Sequence, residues 1–243
     1  MGKLIVVGIG PGDYENMTVR ADRALTNCDT IIGYHVYVNL VKDRYADKEF
    51  LTTPMTRETQ RCQMALELAD TGKIVAMVCS GDPGVYGMAG LCYELSPQWP
   101  EVELEVIPGI TAACGGAAVL GAPLMHDFCL VSLSDLMTPW EKIEARLRAA
   151  AQADFVLCLY NPSSHKRKDY LQKACDILLE AKAPETPCGY VSQIGREGEA
   201  HTILTLEELR EAQVDMFTTV FVGNSQTQVI GGRLVTPRGY LQR

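Results

Sequence analysis

Apolar residues in this chain gather in short unbroken runs, and the runs alternate with stretches in which apolar residues recur every three or four positions. Leu4-Ile5-Val6-Val7, Thr30-Ile31-Ile32 and Ile74-Val75-Ala76-Met77-Val78-Cys79 are of the first kind, each followed by a glycine turn. A run with no polar side leaves no face for water, so it reads as a strand covered on both faces, as in a parallel sheet. Val102 to Ile107 is predicted as a further strand. Helices are predicted over about Thr18 to Cys28, Arg57 to Thr71, Tyr86 to Leu95 and Thr111 to Leu120. In the second of these, Cys62, Ala65, Leu66 and Ala69 share one face and Gly72 is the stop signal. Strand and helix in alternation make the first half a parallel βαβ array.

The pattern changes at Gly121-Ala122-Pro123. Phe128 to Val131 begins a new strand. Thr138-Pro139-Trp140-Glu141 then combines a capping box with proline at the first helical position, and Trp140, Ile143, Leu147 and Ala150 make the helix amphipathic. Phe155 to Tyr160 is the next buried strand, followed by a helix from about His165 to Ala181. Cys188 to Gln193 and Ala200 to Leu204 flank Ile194-Gly195-Arg196-Glu197-Gly198-Glu199 as a hairpin, and Thr219 to Val222 is a last strand. A hairpin argues against an eight-fold β/α barrel, whose strands are all parallel. The expected architecture is α/β in two domains, residues 1–122 with a parallel sheet and residues 123–243 with a mixed sheet, sharing a cleft.

Composition narrows the function classes. The 243 residues are 47% hydrophobic, enough to bury about 70 to 75% of the unfolded surface. A formal net charge of -8 repels polyanions, which disfavours nucleic acid or an anionic membrane as the main partner. The apolar segment from Leu4 to Ile9 is too short for a signal peptide or a span, so a cytoplasmic location is expected. The nine cysteines are widely spaced, without CxxC or Cys/His clusters, and read as buried thiols rather than as a metal or disulfide framework.

Candidate chemistry lies in the loops after strands: Gly8-Ile9-Gly10-Pro11-Gly12-Asp13, Gly33-Tyr34, Ser80 to Tyr86, Pro108 to Ala113, Tyr160-Asn161-Pro162 and Gly195-Arg196-Glu197. Glycine and proline there let backbone approach a ligand closely. The first loop fails the dinucleotide fingerprint, because Asp13 stands where the third glycine belongs and Pro11 has no N–H for a pyrophosphate. No acidic residue ends the second strand, and no phosphate-cradling G-x-x-x-x-G-K-[ST] loop occurs. A cofactor held through phosphates is therefore not expected.

GIGPGD, SGDPGVYGMAG, IPGITAACGGAAVLGAPLMHDF, SLSDLMTPWEKIEARL and LYNPSS, in this order, resemble the tetrapyrrole (corrin/porphyrin) methyltransferase family along essentially the whole chain. The segment from Leu124 to Trp140 resembles the branch that methylates carbon 17 of a corrin precursor with ring contraction; a sister branch acting on another carbon, such as carbon 11, is the nearest alternative. The resemblance implies a class III methyltransferase fold, a homodimer, a tetrapyrrole substrate, and S-adenosylmethionine (product S-adenosylhomocysteine) bound between the domains. Carried over by motif, Pro11, Ser80, Gly81, Asp82, Val85, Thr111, Ala112, Asn161 and Gly195 line the cofactor site. Two roles are open to Asp82, contact with the cofactor or formation of the turn.

A tetrapyrrole carries several carboxylates, which the planar fork of arginine suits. Arg57 and Arg61, one turn apart at a helix start, are the substrate-binding candidates, while Lys166-Arg167-Lys168 reads as a solvated face. Ring contraction needs proton transfers, and His126 and Asp127 are the catalytic candidates because they lie in the branch-specific segment. Their other possible role is structural, in tying the linker and capping a turn. A nicotinamide dehydrogenase and a non-catalytic tetrapyrrole-binding protein are the readings from other classes.

Overall fold

The computed structural model describes residues 2–164 and 167–240. It divides into two compact units, Met1–Ala112 and Ala113–Arg243. The first contains β1 (Lys3–Gly8), α1 (Val19–Asn27), β2 (Thr30–Tyr34), α2 (His35–Asn39), β3 (Glu49–Thr53), α3 (Glu58–Asp70), β4 (Ile74–Cys79), α4 (Ala89–Leu95) and β5 (Glu103–Ile107). Its five strands pair in the order β3-β2-β4-β1-β5, all parallel. The unbroken apolar runs have a direct cause. Leu4 and Val6 of β1 enter one core layer with Leu66 and Met77, while Ile5 and Val7 enter the other with Leu25 and Val78. Both faces of each central strand are buried, so neither can be polar.

The second unit begins with α5 (Ala112–Leu120) and β6 (Gly121–Ala122), and continues with β7 (Phe128–Ser132), α6 (Trp140–Gln152), β8 (Val156–Tyr160), α7 (Tyr170–Leu179), β9 (Pro187–Ser192), β10 (Ala200–Thr205), α8 (Leu206–Arg210), β11 (Thr218–Val222), β12 (Gln228–Ile230) and β13 (Arg233–Val235). Its main sheet has the order β10-β9-β11-β8-β7 and is mixed: β7 and β8 are parallel, and β11 runs against both β8 and β9. The strand β10 returns antiparallel to β9, so the hairpin expected from the sequence is present. A small three-stranded sheet joins β12, β13 and β6. The helix α5 belongs here because its glycines admit large neighbours. A Cβ on Gly116 would lie 2.9 Å from the buried Phe221 ring, and Leu120 fills the space over Gly189. The Gly121-Pro123 break thus lies inside the second unit.

Several elements differ from the sequence expectation. The helix expected from Tyr86 begins only at Ala89, since Tyr86 is left-handed (φ 54°) and the Ala89 N–H closes a turn onto the Pro83 carbonyl. The capping box expected at Thr138 does not form. Pro139 occupies the capping position in extended conformation (ψ 143°), without a side-chain cap, and the indole of Trp140 donates to Glu144 instead. A capping box does form at Thr205 and Glu208, which the sequence reading passed over. The His165 start expected for α7 falls outside the described residues; the helix begins at Tyr170. Seven cysteines are buried, Cys129 is half-buried and Cys114 is exposed, all as free thiols.

Candidate active site at two sheet edges

In the first unit the loops leaving β4, β1 and β5, three adjacent strands, are knotted together by backbone. Gly10 and Gly81 exchange hydrogen bonds, Gly81 N–H to Gly10 carbonyl at 2.7 Å and Gly10 N–H to Gly81 carbonyl at 3.3 Å. Both glycines are left-handed (φ 72° and 67°), a conformation costly for any residue with a Cβ. Gly109, from the loop after β5, packs so tightly that a Cβ there would sit 2.1 Å from the Gly81 carbonyl oxygen and 2.8 Å from the Gly8 carbonyl carbon. Asp82 binds the knot: one carboxylate oxygen accepts the Gly84 N–H at 2.7 Å and the other the Gly109 N–H at 3.0 Å. Of its two possible roles, the turn is therefore realised, and it extends across loops.

The remaining first-unit cofactor candidates surround this knot. Pro11 follows Gly10 and is buried; Ser80 and Val85 flank the Gly81-Asp82 turn, with the Val85 N–H on the Asp82 carbonyl. Thr111 and Ala112 lie against Gly81, Thr111 Cα 3.5 Å and Ala112 N 3.7 Å from where a Gly81 Cβ would be. The three loops, residues 8–17, 80–88 and 108–112, contain Asp13, Glu15 and Asp82 but no Lys or Arg. A local surface of that sign disfavours phosphates and favours a cationic group. Burial pushes the Cys79 thiol, next to Ser80, up to about 12, leaving it a packed apolar group.

The second unit has an edge of different construction. Since β9 and β8 both oppose β11, the strands β7, β8 and β9 run the same way. Their carboxyl ends, at Ser132, Tyr160 and Ser192, open on one edge of the sheet. Asn161 (φ 53°) donates its amide to Ser132 Oγ at 2.9 Å, and the Ser134 N–H donates to the same oxygen at 3.2 Å. Gly195 (φ 64°) lies beyond β9 on this edge, its N–H on Glu199. The Tyr160 hydroxyl accepts the Ala113 N–H at 2.8 Å, holding the start of α5 to the same edge.

Side chains missed by the sequence reading complete it. Arg167 donates to Ser134 Oγ at 2.7 Å and to Asp135 at 3.1 Å, and Tyr170 donates to the other Asp135 oxygen at 2.6 Å. The Tyr170 hydrogen bond is the largest influence on the Asp135 carboxyl and, with the Arg167 charge added, outweighs desolvation and holds it below the usual carboxylate range. The basic run is thus no uniform solvated face: Arg167 is engaged in the unit, and Lys166 lies outside the described residues. Its signal was the serine-rich SLSD segment, which supplies acceptors for one arginine.

The other candidates are placed elsewhere. His126 and Asp127 precede β7 and lie at the opposite edge, where the Asp127 carbonyl accepts the Val156 N–H at the start of β8. A five-residue strand separates them from Ser132 by roughly 16 Å. His126 Nε2 meets the Pro237 carbonyl at 2.8 Å, tying the chain ahead of β7 to the segment after β13. These two are not brought together with Asn161 and Gly195. In the first unit Arg57 is exposed beyond β3, at the same edge as the glycine knot. Arg61 is 4% exposed and donates to Thr53 Oγ1 (2.7 Å) and the Pro54 carbonyl (3.1 Å), so it clamps the end of β3.

Both edges lie at strand carboxyl ends, one made of backbone and acidic, the other made of hydroxyls and a held carboxylate. Residues 3–210 match the family of tetrapyrrole (corrin/porphyrin) methylases. The chain belongs to that family. It is similar to a probable cobalt-factor III C(17)-methyltransferase of Salmonella typhimurium, with 50% identity over 98% of this chain and 99% of the relative. It is also similar to a cobalt-factor III methyltransferase of Priestia megaterium, with 47% identity over all of this chain but only 46% of that longer protein. Among solved structures, the methyltransferase CobJ superposes with a TM-score of 0.90 at 36% identity, covering 98% of this chain and all of the other. The methylase fold expected from the motifs, a parallel-sheet unit followed by a mixed-sheet unit, is therefore present.

Proposed function

We propose that this methylase transfers a methyl group from S-adenosylmethionine to carbon 17 of a cobalt-loaded or metal-free tetrapyrrole of corrin biosynthesis, with associated ring contraction. The observation that carries the reading is the 50% identity, across nearly the full length of both chains, to the Salmonella protein. The first unit's loops fit the cofactor. S-adenosylmethionine has a sulfonium, an ammonium and a carboxylate but no phosphate, which suits an acidic, backbone-lined edge where Pro11 offers no N–H. When bound, it supplies an electrophilic methyl group whose transfer leaves a neutral thioether.

In this reading Pro11, Ser80, Gly81, Val85, Thr111 and Ala112 contact the cofactor by close backbone approach, and Asp82 acts by holding their loops in register. Asn161 and Gly195 are the second unit's cofactor candidates. Arg57, exposed and beyond a strand end, is an arginine available to a substrate carboxylate, while Arg61 is turned inward onto Thr53 and Pro54. The position of His126 favours a structural role over proton transfer. The protein's main contribution is orientation of the two reactants and exclusion of water.

No helix among the described residues is long and apolar enough to cross a membrane. The homodimer implied by the family resemblance and the cytoplasmic location expected from the sequence belong to this proposal, and equilibrium sedimentation checks the first. The activity test is incubation with S-adenosylmethionine and cobalt-loaded or metal-free precorrin-3 substrates, followed by mass spectrometry and NMR. A ring-contracted product methylated at carbon 17 is expected. Methylation at carbon 11 would identify a sister enzyme instead, and absence of transfer to any tetrapyrrole would overturn the reading.

A further inference from the structure

The loop between β7 and α6 joins a fixed base to a bare apolar tip. At the base Asp135 is held through both carboxylate oxygens, by Arg167 and Tyr170, and Ser134 is held by Arg167 and by Ser132 Oγ. On the far side Trp140 packs against Tyr170 with ring centroids 4.5 Å apart and the planes tilted by 48°, so the returning chain is anchored to the same tyrosine. Between these anchors Leu136 is 70% and Met137 95% exposed. Single exposed apolar residues are ordinary. Two adjacent large ones, presented by a network of charged and hydroxyl groups on the edge that carries Asn161, are a different case.

We propose that Leu136 and Met137 form an apolar contact surface for the tetrapyrrole macrocycle and thereby determine substrate specificity. This rests on the proposed methyltransferase reading. The macrocycle is the occupant that fits the chemistry: its carboxylates ring an extended apolar disc, so recognition needs an apolar platform as well as cationic groups. The unbranched thioether chain of Met137 adapts to a flat conjugated face. Asp135, Arg167 and Tyr170 are positioning residues, acting through the loop they hold.

The test compares wild type with the double variant Leu136→Ser/Met137→Ser, using precorrin-3 as tetrapyrrole and S-adenosylhomocysteine as cofactor probe. We expect KM for the tetrapyrrole to rise about tenfold or more, with S-adenosylhomocysteine affinity, melting temperature and oligomeric state unchanged. The swap Leu136→Met/Met137→Leu should restore KM to near the wild-type value. A Trp99→Phe background isolates Trp140, whose fluorescence the bound macrocycle should quench less in the double variant. Unchanged KM and quenching in an active double variant would overturn the inference alone. A change in oligomeric state with KM intact would reassign the tip to a subunit contact. Failure of the wild type to bind or methylate the tetrapyrrole, by contrast, would overturn the functional reading and this inference together.

Discussion

The carboxyl edges of the two sheets solve the same problem by opposite means. In the first unit, Gly8, Gly10, Gly81 and Gly109 bring three loops into backbone contact, and one carboxylate, Asp82, locks them. In the second unit the edge is assembled from side chains, with Ser132, Ser134, Asp135, Asn161, Arg167 and Tyr170 linked in one hydrogen-bonded network. At Gly10 and Gly109 the backbone knot leaves no room for a Cβ, yet it offers polar groups whose position is fixed by the sheet itself. A side-chain network is adjustable residue by residue. In the proposed reading the first suits a cofactor common to a family, while the second sets Asn161, a cofactor candidate, beside a loop suited to a substrate that varies within it.

The sharpest way to break this contrast is Gly109→Ala. The added Cβ would lie 2.1 Å from the Gly81 carbonyl oxygen, and backbone, rather than a flexible side chain, would have to move. We expect a cost of about 3 kcal/mol, seen as a roughly hundredfold loss of S-adenosylmethionine affinity in calorimetry. Gly81→Ala provides the control: space is available, with nearest atoms at 3.5 Å, and only the left-handed φ of 67° is penalised, by about 1 to 2 kcal/mol.

Asp82→Asn should rank next. One amide oxygen replaces two carboxylate oxygens, so either the Gly84 or the Gly109 N–H loses its acceptor. A penalty of about 1 to 2 kcal/mol is expected, weakening cofactor binding about tenfold, measurable by the same titration.

Asp135→Asn probes the other edge. Its folded-state pKa is lowered, so the wild-type carboxylate stabilises the fold fully above the ordinary carboxylate pKa, and that contribution is lost as pH falls through the lowered value. The side chain is about one-third exposed, so solvent screening keeps the effect below about 1 kcal/mol. Thermal melts from pH 7 to pH 3 should show a shallower acid loss in the variant. The tetrapyrrole KM should rise through the loosened loop, with cofactor affinity unchanged.

His126→Asn should have the smallest effect on turnover. It removes a single tie to the Pro237 carbonyl at the far edge, costing about 1 kcal/mol and lowering Tm by about 2 to 4 °C. Loss of ring-contracted product with cofactor binding intact would instead return His126 to the mechanism.

The sequence disclosed the first edge far better than the second, for a physical reason. Backbone knots leave a mark in residue type, because close contacts demand glycine at positions 10 and 109 and a left-handed φ favours it at 81. The network at Asp135 leaves a fainter mark, the SLSD segment: Arg167 lies over thirty residues along the chain from Ser134 and Asp135 and reads like any surface cation until β7 and β8 bring the two segments side by side. His126 and Asp127 stand in the branch-specific segment, but strand direction separates them from Asn161, since a residue before a strand and one after it lie at opposite ends of the sheet. Arg61 was legible as an arginine at a helix start, but its inward orientation depended on Thr53 and Pro54, from a strand whose mixed pattern, Glu49 to Thr53, carried no strong signal. The hairpin and the change of sheet type in the second half were legible because turn-rich segments between apolar runs exclude a uniform barrel.

The division of labour between the two edges is tested most directly by titrating S-adenosylhomocysteine into Gly109→Ala and Asp135→Asn in parallel with wild type. The account predicts affinity reduced about a hundredfold in Gly109→Ala and equal to wild type in Asp135→Asn. Wild-type affinity in a folded Gly109→Ala, or an equal loss in both variants, would contradict it.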